Sequence, residues 1–402
     1  MASALRNVVV VGGSYVGLNT CRELMSILPA STHRILLIEA HTHFNHIFTF
    51  PRFSILSGHE HKAFIPYTGL FPPDSPHRVI TSRVEHVHPK HVQISTSFED
   101  SNSVPYDYLV LATGTQLAAP SMMPHDDAAS SISYLQSYQD QLRKSQKIVI
   151  VGGGAVGVQM ALDLKELYPS GKEVTVVHSR DRLMQLFEPK LHAILAEAFE
   201  EKGIRLITKT RAKVPAGGFA NDGNRMVVEL LNGDEIEGDF VILATGQKPN
   251  NQLVAGLAAS SDSAEAELVN PANGFLRVRP SLQLQDEAYS HIFAVGDIAD
   301  TGLQKAARPG AAQAKVVAQN IFSLIQGERA EAKFEKNPPA IHLSLGLKRN
   351  IIFRNPNRSE GQTEATVIDK FDGRADMGVE GMWDRLNVKL EKMEEAGVRA
   401  EL

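Results

Sequence analysis

Two glycine-rich turns carry the first chemical signal. Gly152, Gly154 and Gly157 have the GxGxxG spacing, directly after the β-branched run Lys147-Ile-Val-Ile-Val and before apolar residues at helical spacing. Such a turn lets backbone N–H groups at a helix N-terminus approach a pyrophosphate, because no Cβ stands in the way. An earlier copy reads Gly12-Gly13-Ser14-Tyr15-Val16-Gly17, after Asn7-Val-Val-Val-Val. Serine stands there in place of the second glycine; its Cβ narrows the approach, while its hydroxyl can donate to a phosphate. Glu39 ends the next buried run, where a carboxylate accepts hydrogen bonds from ribose hydroxyls. The second copy has His178-Ser179-Arg180 at that point, with Arg182 close behind. A carboxylate would repel a 2′-phosphate and arginine can pair with one, so the second unit is expected to accept NADPH. Solvated loop charges are the alternative reading of Arg180 and Arg182.

Three strand ends complete the pattern. Tyr108-Leu-Val-Leu leads into Ala112-Thr113-Gly114, and Phe240-Val-Ile-Leu leads into Ala244-Thr245-Gly246. His291-Ile-Phe-Ala-Val ends in Gly296-Asp297, ahead of an Ala-rich helix expected from about 309 to 326. A carboxylate there can fix a polyol such as the ribityl chain of a flavin, and the helix dipole favours negative charge on its ring.

The whole chain must position these residues. Its 402 residues suggest two or three domains. Lys+Arg number 41 and Asp+Glu 46, a net charge of −5, with 43% hydrophobic and 22% charged residues. That excludes a mainly disordered chain and disfavours nucleic acid as a partner. Cys21 is the single cysteine, so one subunit has no internal disulfide, Cys-x-x-Cys pair or all-Cys cluster. Its place in the first expected helix suits a buried hydrophobe.

Residues 115–135 suit a linker and 255–268 a solvated loop; the region from 331 has strand-like runs and a last helix near 380–395. The N-terminal residues carry no recognisable targeting signal, and no apolar run reaches the ~18 residues of a membrane span. A cytoplasmic location is expected, with a peripheral place on an intracellular membrane such as the mitochondrial surface left open, as is oligomerisation.

Ten of the 15 histidines lie between His33 and His91, yet His41, His43 and His46 sit in a loop without converging carboxylates or cysteines. No metal site is expected there, and His46 is placed near the flavin. Trp383, Leu386, Leu390 and Met393 recur at helical spacing and read as packing rather than membrane contact.

The joint order of two fingerprints, two Ala-Thr-Gly ends and a late Ala-Val-Gly-Asp resembles the pyridine nucleotide-disulfide oxidoreductase superfamily. Within it, the segment from His43-Phe-Asn-His46 through Phe50-Pro-Arg52 to Phe64-Ile-Pro-Tyr67 resembles the apoptosis-inducing-factor-like, ferroptosis-suppressor type of NAD(P)H:quinone oxidoreductase. The resemblance covers about 1–325. It implies FAD in the first unit, on Gly12, Gly13, Ser14, Tyr15 and Val16, then Arg52 at the pyrophosphate, Val84 at the adenine, and Asp297. It implies NAD(P)H in the second unit and puts Lys305 near the flavin, where a cation stabilises negative charge; a plain surface charge is the alternative.

This chain departs from the superfamily in two places. It lacks the redox cysteine pair, so disulfide reduction is excluded. Gln159 stands where the subgroup tends to carry a glutamate close to nicotinamide and flavin, which removes a charge and a proton relay.

The expected fold is α/β: two Rossmann-like domains plus a small α+β C-terminal cap. The flavin domain is expected from 1–118 and 247–330, the NAD(P)H domain from 119–246, and the cap from 331–402. The expected activity passes a hydride from NAD(P)H to flavin, then electrons to a quinone-like acceptor or oxygen. A specialised biosynthetic oxidation and a redox-sensing protein with little turnover are the alternatives.

Overall fold

A computed structural model describes residues 5–261 and 266–390. Val8, Val10, Ile35, Leu37 and Val110 alternate along their strands with Val9, Val11, Leu36, Ile38 and Leu109, and both sets are buried. Strands apolar on both faces require cover on both faces, which is the condition for a parallel central sheet. The first sheet accordingly has five parallel strands in the order 292–294, 108–111, 6–11, 33–39, 78–81. One face packs on Leu18, Cys21 and Leu24 of the helix Tyr15–Ile27 and on Val317 and Ile321 of the helix Ala307–Ile325. The other packs on a three-stranded antiparallel meander, 84–87, 91–98 and 101–105, through Val84, Val87, Val92 and Ile94. The expected helix from about 309 to 326 is thus present two residues early.

The second sheet repeats the design with four parallel strands in the order 205–207, 173–177, 147–151, 240–243. Its helix Ala155–Leu167 is the counterpart of Tyr15–Ile27. The strand 292–294 returns to the first sheet after the second is complete, so the chain leaves one sheet, builds another and comes back. Two short strands, 115–116 and 248–249, pair antiparallel where it leaves and returns. Thr113 and Asn250 lock this crossing: Thr113 Oγ1 donates to the Asn250 carbonyl at 3.0 Å, and Asn250 Nδ2 donates back to the Thr113 carbonyl at 2.8 Å.

The segment expected as a linker ends differently. Residues from Ala128 begin a helix that runs to Lys144, capped by Asp127, whose side chain accepts from the Ser130 N–H. Leu135 of this helix packs into the first core, and Tyr138 and Leu142 into the second.

The C-terminal part is a three-stranded antiparallel sheet, 340–344, 350–354 and 366–370, followed by the helix Glu380–Arg385. It bridges both cores. Leu343, Ile351 and Phe353 pack with the second, while Trp383 and Leu386 are buried in the first. The Trp383 indole N–H donates to the Lys62 carbonyl at 2.9 Å. The apolar stripe therefore packs, as expected, through Trp383, Leu386 and Leu390; Met393 lies outside the described residues. The last helix is shorter than expected within them.

Candidate flavin and pyridine nucleotide sites

Each fingerprint turn is built by the same contacts. Gly12 has φ +100°, and a Cβ on it would sit 2.5 Å from the Ala112 carbonyl oxygen. A Cβ on Gly17 would lie 1.8 Å from the Gly12 carbonyl oxygen. In the second unit Gly152 has φ +123° and stands against the Ala244 carbonyl, and Gly157 stands against Gly152 in the same way. The Ala-Thr-Gly ends are thus the floor under each turn through Ala112 and Thr113 in the first cradle and Ala244 and Thr245 in the second, while a Cβ on Gly114 or Gly246 meets nothing within 4 Å.

The middle positions differ, and the difference bears on binding. A Cβ on Gly154 meets nothing within 4 Å. That open space lies at the N-terminus of Ala155–Leu167, where no side chain caps the helix. Ser14 holds the same place before Tyr15–Ile27, and its hydroxyl makes no capping bond. Both helix ends therefore keep donors for an anionic group, so the residues present fit a pyrophosphate in each unit.

The strand ends are also paired by geometry. Glu39 accepts from the Gly13 N–H and, through Oε1, from the His41 N–H at 3.0 Å and His41 Nδ1 at 2.5 Å. Burial pushes the Glu39 carboxyl up, but the His41 bonds and charge prevail and hold it below the usual carboxylate range. His41 is held above the usual imidazole range: burial lowers it, and Glu39 and Asp126 outweigh that. In the second unit His178 takes the place of Glu39. Its Nδ1 accepts from the Gly153 N–H at 3.1 Å and its Nε2 lies 3.0 Å from the Arg182 carbonyl. The first bond leaves Nδ1 without a proton, so the ring is neutral and Nε2–H donates. Burial lowers its pKa, in keeping with that state. Arg180 is exposed beside it.

Gly296 and Asp297 are held against the first fingerprint helix. A Cβ on Gly296 would lie 3.0 Å from Val16 Cγ2, and the Gly296 N–H donates to buried Gln313 Oε1 at 2.7 Å. Gly310, in the next helix, also seats against Val16. Asp297 has no hydrogen bond to a described residue; burial raises its carboxyl pKa and the nearby Lys305 charge works against that. Lys305 Nζ donates to the Ala299 carbonyl at 2.6 Å and sits 3.8 Å from the Phe275 ring centroid. Burial pulls its pKa down, opposed by Asp297 and Asp300. Lys305 is thus half-buried and anchored by the Ala299 carbonyl and the Phe275 ring. Val84 lies in the meander core, two residues after Ser82, whose N–H donates to the Glu39 carbonyl at 2.9 Å.

Arg52 corrects an expectation. It is 1% exposed and bonds bidentately to Asp163, Nε to Oδ2 and Nη2 to Oδ1, both at 2.8 Å. Nη2 also donates to the Gly346 carbonyl at 2.7 Å and Nη1 to the Arg374 carbonyl at 3.2 Å. Four of its five N–H groups are committed to protein acceptors, so it is not free to hold a pyrophosphate. Gln159, one turn before Asp163, is buried and donates to Met377 Sδ at 3.7 Å.

The histidine loop is organised by pairs. His43 Nε2 meets Asn45 Oδ1 at 2.9 Å, and His46 Nδ1 meets the Tyr15 hydroxyl at 2.5 Å. Burial lowers His46 to a pKa of about 4, so it is neutral at pH 7. Sequence reasoning placed His41 in a loop without converging carboxylates and missed its pair with Glu39, and it missed Gln313 and Asp163. Asp163 alone had a visible signal, a carboxylate set in the apolar run Met160–Leu164. Cys21 is fully buried, and burial pushes its thiol up, away from the reactive thiolate.

Two dinucleotide cradles and a strand-end Gly-Asp packed on the first of them define a two-dinucleotide flavoprotein oxidoreductase. The pyridine nucleotide-disulphide oxidoreductase family matches residues 6–316, and the chain belongs to that family. It is an FAD-dependent oxidoreductase that uses NAD(P)H. Among curated relatives, it is 34% identical to Fe-regulated protein 8 of Mycosarcoma maydis over 403 aligned positions, 94% of each chain. It is 31% identical to ferroptosis suppressor protein 1 of Taeniopygia guttata, over 84% of this chain and 86% of that one. Among solved structures, the sulfide:quinone oxidoreductase of Aquifex aeolicus superposes with a TM-score of 0.74 at 19% identity, covering 98% of this chain and 96% of the other.

Proposed function

We propose that this enzyme passes electrons from NAD(P)H through FAD to a quinone-like ring or to oxygen. The observation that carries the acceptor is a cavity of about 450 Å³ between the first fingerprint helix and the helix after Gly296-Asp297. Tyr15, His46, Phe48, Ala307, Arg308 and Met382 are among its lining. Its size suits a small planar molecule, and Tyr15 and Ala307 also border the flavin cradle. Bound FAD supplies the ring that takes a hydride and gives up electrons.

The chain's residues then have separable tasks. Gly152–Gly157 hold the donor pyrophosphate, and Arg180 beside neutral His178 accepts a 2′-phosphate. Asp297 and Ser14 hold the flavin side, with Lys305 as a nearby cation. Phe48, half exposed, and Tyr15 flank an acceptor ring. The Tyr15 hydroxyl and His46 Nδ1 share a hydrogen bond at 2.5 Å, and in the tautomer in which the hydroxyl donates, Nε2 carries the ring proton and can donate to an acceptor carbonyl. Arg308 and Arg385 place positive charge where the reduced acceptor becomes negative. We assign 1–118 and 247–330 to flavin, 119–246 to NAD(P)H and the part from 331 to the cap, in keeping with which strands join which sheet. No helix among the described residues is long and apolar enough to cross a membrane, and a peripheral membrane location is part of the proposal.

The test is rapid-mixing reduction by NADPH and by NADH, followed by mixing with oxygen or a short-chain quinone. Quinone is expected to reoxidise the flavin much faster than oxygen. Tyr15→Phe is expected to slow that step about tenfold, some 1.4 kcal/mol, while leaving reduction by NAD(P)H near wild type. Reoxidation that ignores quinone, or that is untouched by the substitution, would remove the acceptor from this cavity.

A further inference from the structure

Arg52 and Asp163 lie 111 positions apart and are both almost fully buried. Arg52 belongs to the short helix Phe50–Phe53, four residues beyond the acceptor-cavity residue Phe48. Asp163 belongs to the second fingerprint helix, whose N-terminus is the donor cradle. The pair is therefore a direct bond between the short helix that follows cavity-lining Phe48 and the second fingerprint helix.

The same guanidinium reaches the C-terminal part twice, at the Gly346 and Arg374 carbonyls. Gly346 has φ +101°, and a Cβ on it would lie 1.9 Å from Glu166 Oε2 on the Asp163 helix, so this turn is seated against that helix. Gln159, one turn from Asp163 on the same helix, extends the chain of contacts by donating to Met377 Sδ at 3.7 Å. A second tie runs alongside, where Gln139 Nε2 donates to the Phe53 carbonyl and to Glu60 Oε1, both at 2.6 Å.

We propose that Arg52 and Asp163 form a positioning latch, which sets the distance between the donor-carrying helix and the flavin side and binds neither dinucleotide. The proposal rests on the donor and flavin assignments above. A buried bidentate pair suits this task because its geometry is sharp and its rupture leaves an unpaired buried charge. Hydride transfer needs reacting atoms at about 3–3.5 Å, so a small change in helix register is felt in the rate rather than in binding.

The experiment compares the holoprotein with Arg52→Met/Asp163→Leu, which removes both charges together, and with Arg52→Lys, which keeps the charge but not the fork. Flavin content, thermal midpoint, donor Kd and the limiting rate of flavin reduction are read separately. Both variants are expected to keep their flavin and to bind donor within about threefold of wild type. The limiting reduction rate is expected to fall about 10- to 100-fold. A wild-type limiting rate in either folded variant would overturn the latch. Loss of flavin from Arg52→Lys, with flavin retained in Asp163→Asn, would instead make Arg52 a pyrophosphate ligand and overturn it too. Wild-type flavin that neither NADPH nor NADH reduces would be a failure of the underlying functional reading, not of the latch.

Discussion

At the scale of single residues, the two units solve one problem with different chemistry. Gly13 and Gly153 each donate a backbone N–H to the side chain ending the second strand of their own unit. In the first unit that acceptor is a carboxylate tied to an imidazole; in the second it is a neutral imidazole. The Glu39–His41 pair has a defined pH window. Glu39 is held low, so its stabilisation is present above an unfolded pKa of about 4.3 and is lost as pH falls through the lower folded value. His41 is held high, so its share is present below about 6.5 and is lost as pH rises through the raised folded value. The gap in thermal midpoint between wild type and His41→Gln is expected to be widest between about pH 4.5 and 6.5 and to narrow on either side. A gap that stays constant from about pH 5 to about pH 9 would mean that the pair does not titrate with folding.

At the scale of elements, glycine positions that look alike in the sequence separate into structural and binding classes. Gly157→Ala puts a Cβ 1.9 Å from the Gly152 carbonyl oxygen and is expected to destabilise the second unit by about 1–3 kcal/mol. Gly154→Ala meets no protein atom, so the fold is expected to hold while NAD(P)H binding weakens about tenfold. Thermal midpoints and donor titrations of the two variants distinguish these outcomes; equal loss of stability in both would contradict the open cradle. Both strand–turn–helix units were legible in the sequence because a buried parallel strand is a continuous apolar run, and a pyrophosphate turn constrains three glycines. The helix 128–144 was not legible, since its Ser- and Gln-rich surface hides an apolar stripe shared between two cores. The resemblance put Arg52 at the pyrophosphate, and nothing local in the sequence shows that a buried carboxylate 111 positions on takes its guanidinium. Gln313 was invisible because it is defined by the Gly296 N–H it meets in space.

At the scale of the whole molecule, the fold builds two separate dinucleotide units and ties them into one body. The chain builds the second sheet between strands of the first, and Thr113 and Asn250 close the crossing. The C-terminal sheet packs into the second core and the last helix into the first, so the cap spans the same gap that Arg52 and Asp163 bridge. With Cys21 its single cysteine, buried, a subunit has no disulfide to relay electrons beyond the flavin. The most direct measurement is an anaerobic titration of the purified holoprotein and its Cys21→Ala variant with NADPH, following flavin absorbance. One NADPH is expected to bleach one flavin fully in both proteins, at matching rates. Uptake of a second equivalent before bleaching is complete, or a variant whose flavin no longer bleaches, would contradict a direct path from nicotinamide to flavin.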